Sequence, residues 1–330
     1  MIEQSLSDKI KIGGLLCTVL VVLRHSFNLQ AFGLANSNGV ATFMEQGISK
    51  QTEVAVPFFF MVSGFFFFRY TYYGRGEYFR MTGKKMRTLF VPFLFWNIFG
   101  LIVLLLTRRL VVEDEMWRYG LQLLHSDWNG VLWYVRDIMT FMLLVPLYGW
   151  IFAVNNKWLY LVVFIGLFTQ WIPVDCAWLS SEGMLFFFLG GVLQRYPEIL
   201  KVKMPVWSLS TLTAVWLVSC FMYPHWWSIH RYNTLLGIII LWQWLDNISN
   251  RWREWLLKIS PLAFFIYVMH AYILKTMKVI LGKVFPSEEI VALLAFFLLP
   301  IVTIMILYVI GDYWNRKHPK SFLFVTGGRG

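Results

Sequence analysis

The sequence predicts an all-α membrane protein, a polytopic bundle of about ten transmembrane helices, from its composition, its aromatic content and its apolar segments. The 330 residues are 58% apolar and only 14% charged, whereas a soluble domain carries about 25% charged residues. The 30 Phe and 17 Trp exceed what one soluble core would bury. The apolar segments are continuous over about twenty residues, the length at which an α-helix crosses a bilayer. Because the strands of a membrane β-barrel would alternate apolar and polar residues, helices are expected.

Ten apolar segments account for the predicted helices, and polar or basic stretches separate them. They cover residues 10–29, 54–73, 88–107, 131–153, 157–173, 181–195, 205–223, 231–247, 259–281 and 288–312. The fifth, sixth and eighth are short enough to be tilted or partly re-entrant. Most lysines and arginines fall inside if the amino terminus is cytoplasmic, which predicts an N-in and C-in topology. The longest loops, 30–53 and 108–130, would lie outside, and one integral-membrane domain over residues 1–330 is expected.

The net charge of +11 does not indicate a nucleic-acid binder, because the basic residues lie between the apolar segments rather than on a soluble face. Cys17, Cys176 and Cys220 are scattered, so neither a disulfide framework nor a zinc site is indicated. His225 and His230 lack a third ligand nearby, which favours an aromatic-belt loop over a metal site.

The first segment carries polar residues where lipid contact would favour apolar ones. Lys11, Thr18 and His25 are spaced by seven residues, so at about 3.6 residues per turn they lie on nearly one face. This stripe should face the bundle interior or a wet cavity, because ionisable groups are costly against lipid. His25 is the candidate general base, since histidine exchanges protons near neutral pH. A purely structural hydrogen bond is the alternative. With no cleavage site after it, the segment is expected to be an uncleaved span.

Other polar residues inside the segments have structural alternatives. Arg136 and Asp137 are adjacent and so point about 100° apart on a helix, which predicts that each partners another helix. Ser63 with Gly64 indicates close helix packing, with a hydroxyl donor to an oxyanion as the alternative.

Three further polar residues are candidates for roles in or near the site. Glu182 opens a short segment and could orient a histidine. Asn97 is expected to form a hydrogen bond between helices. His270 is a second candidate base, in the middle of the ninth segment.

Several landmarks occur in a fixed order along the chain. They are VPFFFMVSGFFFF at 56–68, GKKMRTLFVPFLFW at 83–96, GVLWYVRDIMTFMLLVPLY at 130–148, MLFFFLGGVL at 184–193 and LAFFIYVMHAYIL at 262–274. From about residue 9 to 312 the chain resembles acyltransferase family 3. Those are ten-span bacterial inner-membrane proteins that transfer acyl groups, commonly acetyl, to cell-surface carbohydrates. No single motif is specific, so the ordered set carries the resemblance.

The resemblance assigns roles to two histidines. His25 matches the histidine of a first-span pattern in which a basic residue precedes it by eleven positions. That basic position is Gly14 here, and Lys11, one turn earlier, is the expected substitute because a lysine side chain is long. His270 matches the histidine that follows Ile-Tyr in the ninth span.

The resemblance implies an acyl-CoA donor, commonly acetyl-CoA, that arrives from the cytoplasm. Lys84 and Arg87 match the family's pattern of a basic residue, two residues and an arginine before the third span. Together with Lys85, Arg80 and Arg75, they would bind the phosphates of coenzyme A, since arginine binds phosphate bidentately and lysine as a point charge. The alternative is that the loop is basic only because inner loops of membrane proteins generally are.

The resemblance assigns fewer residues to binding of the acceptor. Trp133 and Tyr134 match an aromatic pair of the family, whereas Val131 stands where the family often has a histidine. With Arg136 and Ser63, the aromatic pair is expected to contact the acceptor, a surface glycan or a lipid-linked oligosaccharide.

The predicted function is therefore an O-acetyltransferase of the bacterial inner membrane, with no metal, in contact with membrane lipid. The sequence does not choose among O-antigen, common antigen, capsule, peptidoglycan, glycolipid or an antibiotic as acceptor. It does not distinguish acetyl from succinyl or a longer acyl group, and it does not set the oligomeric state. His25 would act either directly as a base or by accepting the acyl group itself.

A transporter or flippase is the alternative, in which Arg24, Arg136 and Asp137 line a path. The chain lacks the internal repeat common in transporters. A non-catalytic partner of an envelope assembly complex is the third possibility.

Overall fold

The computed structural model describes residues 4–69, 75–110, 115–170, 179–222 and 227–329, and within these ranges the secondary structure is helical. The helices, in chain order, are α1 Gln4–Arg24, α2 Val40–Thr52, α3 Ala55–Phe68, α4 Arg75–Leu106, α5 Met116–His125, α6 Trp133–Leu143, α7 Val145–Ala153, α8 Lys157–Phe168, α9 Ser181–Arg195, α10 Val206–Met222, α11 Trp227–Trp244, α12 Asn250–Ile259, α13 Ala263–Val284, α14 Glu289–Lys317 and α15 Pro319–Thr326. The prediction of an all-α fold is confirmed over the described residues.

Each of the ten predicted segments contains a helix, in the predicted order. The segment 181–195 coincides with α9, whereas 131–153 holds two helices that meet at a bend of 53°. Pro146 lies in the first turn of α7, and because proline has no N–H it begins a helix more easily than it continues one. Pro146 therefore accounts for the bend between α6 and α7.

The two long stretches predicted to be outer loops are partly helical, which corrects the expectation that they are loops, whereas their location outside the membrane stays a prediction. Residues 30–53 contain α2, and 108–130 contain α5 and a 3₁₀ helix over Asp127–Leu132. Both α-helices mix polar with apolar residues and are short, so neither has the continuous apolar length on which the segment prediction depended.

The first helix begins and ends earlier than the predicted segment 10–29. It ends at Arg24 because the chain then tightens: the N–H of Ser26 donates to the carbonyl of Leu23 at 3.0 Å. The hydroxyl of Ser26 lies 2.7 Å from the same carbonyl and 3.0 Å from that of Phe296 on α14. His25 therefore sits just beyond the helix rather than within it.

Four helical stretches of the described chain are long and apolar enough to cross a membrane. They are Val40–Phe68, Thr82–Leu106, Asn250–Val284 and Glu289–Lys317, and the bent pair Met116–Leu143 with Val145–Ala153 makes a fifth if it forms one span. α8 and α10 are shorter apolar helices. On α14, Ile301, Met305 and Val309 are 55%, 62% and 65% exposed, as lipid-facing side chains would be. The chain is a membrane protein.

The chain divides into two compact units, called here the first unit (residues 1–58 and 202–316) and the second unit (59–201 and 317–330). In the first unit α1 packs against α2, α12 and α13, and α2 packs against α10 and α11. In the second unit α4 packs against α6 and α15, and α9 packs against α6 and α8. The expectation of a single functional domain stays a prediction.

Phenylalanine fills the core of the second unit, and glycine allows its helices to approach closely. Phe60, Phe68 and Phe186–188 are buried. A Cβ added to Gly64 on α3 would overlap the carbonyl oxygen of Phe187 on α9, and one on Gly190 would overlap that of Met61. The prediction that Ser63-Gly64 marks close packing is confirmed.

Candidate active site

Two histidines lie side by side in the first unit. His25 follows the last residue of α1, and His270 lies on α13, which packs against α1. Their ring centroids are 5.0 Å apart, with an angle of 56° between the planes. His25 is exposed, whereas His270 is 0% exposed. The structure thus brings together the two histidines that the sequence offered separately as bases.

The hydrogen bond of His270 defines its neutral form. Its Nδ1 lies 2.6 Å from the carbonyl oxygen of Tyr267. Because a carbonyl only accepts, Nδ1 carries the proton and Nε2 of the neutral ring keeps its lone pair. Nε2 is buried and makes no hydrogen bond to any described group, an arrangement that costs about 1–3 kcal/mol. A buried, unpartnered acceptor beside an exposed imidazole suits proton chemistry.

The backbone around His25 is fixed by side chains from other helices. The ammonium of Lys278 on α13 donates to the carbonyls of His25 and Phe27, both at 2.8 Å. The amide Nδ2 of Asn28 donates to a carbonyl of α14 at 2.8 Å. The carboxylate of Glu45 on α2 accepts from the backbone N–H of Asn28 at 3.1 Å. Three helices therefore hold the loop that carries His25.

Sequence reasoning missed Lys278, although a signal was present. Lys278 lies inside the predicted segment 259–281, and an ionisable residue in an apolar span is a functional candidate by default. Glu45 had no such signal, because it falls in a stretch predicted to be a loop.

A second charged cluster includes Arg24, the residue that precedes His25 in the chain. Glu53 accepts from Nδ1 of His230 at 2.8 Å and from Nζ of Lys50 at 3.2 Å, and Nη1 of Arg24 lies 3.8 Å from it. His230 thus has a carboxylate partner, and His225 lies outside the described residues. Within the described ranges no group of three or more His, Cys, Asp or Glu side chains could hold a metal ion.

The lysine of α1 that packs inside the first unit is Lys9 rather than Lys11. Lys9 is 5% exposed, forms an ion pair with Asp246 at 2.7 Å and lies 4.2 Å from the centroid of the Trp242 ring. Lys11 is exposed, whereas Thr18 is buried. The stripe of Lys11, Thr18 and His25 is therefore only partly enclosed, and the basic role of Lys11 stays a prediction.

In the second unit, two predicted acceptor residues are in contact. The hydroxyls of Ser63 on α3 and Tyr134 on α6 are 3.1 Å apart. The ring of Phe60 lies 4.8 Å from that of Tyr134 and 6.1 Å from that of Trp133. Glu182 lies half-buried in the first turn of α9, and its role stays a prediction.

Arg136 and Asp137 contact each other as well as other helices. Nε and Nη2 of Arg136 lie 2.9 and 2.8 Å from Oδ1 of Asp137, so the two residues form a direct pair that was not predicted. The Cβ atoms point apart, but the long arginine side chain turns back to its neighbour. The prediction that each partners another helix is confirmed, because Asp137 also accepts a hydrogen bond from the backbone of Ser180, which precedes α9. Nη1 of Arg136 donates to the carbonyl of His125, on α5, at 3.0 Å. Asn97, by contrast, donates within its own helix, to the carbonyl of Phe93 at 2.9 Å, so the interhelical prediction is wrong.

The predicted donor-binding cations lie on a helix rather than in a loop, because α4 already begins at Arg75. Arg80, Lys84 and Arg87 are exposed, and Lys85 is half-buried. Positions four and then three residues apart share one helix face, so Arg80, Lys84 and Arg87 form one basic stripe. The side chain of Arg75 lies outside the described part.

The helices and their apolar surfaces define a polytopic membrane protein with a histidine pair in its first unit. A family model described as an acyltransferase domain matches residues 15–311, nearly the whole chain. The chain belongs to acyltransferase family 3, as its ordered motifs indicated, and is a membrane acyltransferase. No curated protein and no solved structure matches the chain.

Proposed function

We propose that the protein is an O-acetyltransferase of the bacterial inner membrane. It would move the acetyl group of acetyl-CoA to a hydroxyl of a cell-surface polysaccharide or its lipid-linked precursor. The observation that carries the proposal is the contact between the exposed ring of His25 and the buried ring of His270, at 5.0 Å, in a chain of an acyltransferase family.

His25 is the base in this proposal because its ring is exposed and a substrate can reach it. The acceptor hydroxyl loses its proton to the imidazole as its oxygen attacks the thioester carbonyl. The tetrahedral intermediate then collapses: the C–S bond breaks, the C–O ester bond remains, and the departing thiolate of coenzyme A takes the proton from the imidazolium. The lone pair on Nε2 of His270 faces a buried environment and stabilises the charge that His25 gains.

An acyl-enzyme route uses the same residues in a different order. The imidazole of His25 attacks the thioester first, coenzyme A leaves as the thiol, and the acceptor hydroxyl then displaces the acetyl group from nitrogen. The base for that second step would be His270. The two routes differ in whether labelled acetyl is found on the protein before acceptor is added.

The donor and the acceptor are proposed to make further contacts with residues outside the histidine pair. The phosphates of coenzyme A suit the basic stripe of Arg80, Lys84 and Arg87 with Lys85 beside it. The acceptor is proposed to contact Trp133, Tyr134, Ser63 and Arg136. Lys11 and Glu182 are proposed to assist the catalytic histidines, Lys11 as the basic residue of the first span and Glu182 by orienting a histidine. A topology of ten crossings with both termini inside would place the basic stripe in the cytoplasm, where acetyl-CoA is made available.

The transporter alternative depended on intramembrane charges that would line a path. Arg24 lies 3.8 Å from Glu53, and Arg136 pairs with Asp137 at 2.8 Å. Because these charges have partners within their own units, they give no reason to prefer a conducting path over an acyltransferase.

The test is transfer of labelled acetyl from acetyl-CoA to envelope glycans in membranes that contain the protein. His25→Ala should lower the rate by about 10²–10⁴-fold, the usual contribution of a positioned general base. The matched control is His318→Ala, since His318 is an exposed histidine before α15 and should leave the rate unchanged. Full activity of the His25→Ala protein at wild-type abundance would refute the mechanism. Unchanged acetylation combined with altered glycan export would favour the transporter.

A further inference from the structure

A short segment of the second unit, Pro319–Arg329, packs onto α4 and is called here the hook. It consists of α15 and the three residues Gly327–Arg329. The indole Nε1 of Trp96 on α4 donates to the carbonyl of Val325 at 2.8 Å, and Phe322 is fully buried. The hook is therefore a fixed part of the second unit.

Gly327 brings the hook to the basic turn of α4. Its φ of 66° is left-handed, and a Cβ there would overlap the carbonyl oxygen of Thr88. Only glycine combines this conformation with such an approach. Thr88 lies one turn after Lys84 and Lys85, and its hydroxyl donates to the carbonyl of Lys85 at 2.9 Å. The hook thus passes directly beside the predicted donor-binding cations.

Arg329 is held at this place by two hydrogen bonds with Thr326. The hydroxyl of Thr326 donates to the carbonyl of Arg329 at 2.6 Å, and Nη1 of Arg329 donates to the carbonyl of Thr326 at 3.0 Å. Arg329 remains exposed. It lies close enough to interact electrostatically with both Lys85 and Tyr134.

The surroundings of Lys85 are positive. The charged groups of the described residues that act on Lys85 are Arg329 and Lys84. Placing like charges together costs free energy, and an anionic ligand at the same place would recover it. The arrangement is what a phosphate-binding site requires, since arginine binds phosphate through two parallel hydrogen bonds and lysine adds charge.

We propose that Arg329 is a donor-binding residue and that it completes, with Lys84 and Lys85, a site for the phosphate groups of acyl-CoA. The inference rests on the proposed function for the identity of the ligand. The shared chemistry is a phosphate at this turn of α4. An acidic phospholipid headgroup would offer the same chemistry, so the experiment separates the two sources.

The experiment measures binding of coenzyme A to the purified full-length protein in a neutral detergent by calorimetry. Arg329→Gln should weaken binding about tenfold, which is about 1.4 kcal/mol, because it removes a charged hydrogen bond to phosphate. Lys320→Gln is the matched control, since it removes one positive charge from an exposed position on the same hook. It should leave binding unchanged.

A second variant checks the geometry rather than the charge. Gly327→Ala should weaken binding in the same direction, because the hook must move away from Thr88 and carries Arg329 with it. The thermal denaturation midpoint of Arg329→Gln should equal that of the wild type, which shows that the loss is one of binding. Unchanged affinity of Arg329→Gln for coenzyme A would overturn the inference.

Two further outcomes separate this inference from the proposed function. If Arg329→Gln weakens binding to phosphatidylglycerol in nanodiscs but leaves coenzyme A binding in detergent unchanged, the ligand is a lipid headgroup. The assignment to the donor is then overturned. If binding of coenzyme A depends on Arg329 but the wild type transfers no acetyl, the inference stands and the proposed function fails.

Discussion

The first unit fixes its histidine pair with hydrogen bonds to backbone groups, whereas the second unit presents its cations on one exposed helix face. Around His25, Lys278 and Asn28 each donate to main-chain carbonyls at 2.8 Å. On α4, Arg80, Lys84 and Arg87 are exposed. Proton transfer depends steeply on geometry, whereas attraction between charges falls off gradually with distance. Substitutions around His25 should therefore lower the rate of acetyl transfer strongly, and substitutions on the exposed face of α4 should lower it weakly.

The largest effect after that of His25 is expected at His270, and two variants separate its two nitrogens. His270→Asn keeps a donor near the carbonyl of Tyr267 but has no group at the position of Nε2, and should lower kcat about 100-fold. His270→Gln can place a polar group near Nε2 and should retain more activity. Both are measured by acetyl transfer at saturating acetyl-CoA. Wild-type activity of the His270→Asn protein would show that Nε2 is not used.

A smaller effect is expected at Lys278, which positions His25 without touching substrate. Lys278→Met removes the bonds to the carbonyls of His25 and Phe27 and should lower kcat about tenfold, with KM for acetyl-CoA unchanged. Lys278→Arg should restore part of the loss, because its donors can reach the same carbonyls. The control is Lys275→Met, at an exposed position of α13. If Lys278→Met changes KM alone, the positioning role is wrong.

The cluster around Glu53 should affect stability rather than catalysis. Glu53→Gln leaves Lys50, His230 and Arg24 without their carboxylate, which should lower the free energy of unfolding by about 1–3 kcal/mol, the cost of leaving buried polar groups without a partner. The thermal midpoint in detergent measures this change. Glu254→Gln, at an exposed position of α12, should leave the midpoint unchanged. A midpoint of Glu53→Gln equal to the wild type would mean that the cluster contributes nothing.

The smallest effects are expected on the basic stripe. Lys84→Gln and Arg87→Gln should each raise KM for acetyl-CoA about threefold with little change in kcat, because exposed charge pairs contribute about 0–1 kcal/mol. The effect should shrink at high salt, since salt screens exposed charges. A large fall in kcat from either variant would show that the stripe is part of the catalytic geometry, and the contrast between the two regions would then fail.

In the candidate site, the sequence identified single functional residues better than it identified their partners. Single residues were found from the sequence because an ionisable group in an apolar segment is conspicuous, and His25 and His270 were both identified in this way. Partners were predicted poorly. The Arg136–Asp137 pair, the burial of Lys9 in place of Lys11 and the pairing of His230 with Glu53 all depend on side-chain reach and on which helices become neighbours.

Composition and the length of the apolar segments determined that this chain is a helical membrane protein, and the order of its motifs determined its family, because these are local properties that each stretch of chain carries with it. Only the tertiary structure decided that His270 lies beside His25, that Lys278 holds the loop that carries His25 and that Gly327 brings Arg329 to the basic turn of α4. Those contacts join residues far apart in the chain, and their geometry comes from helix packing, which no local pattern records.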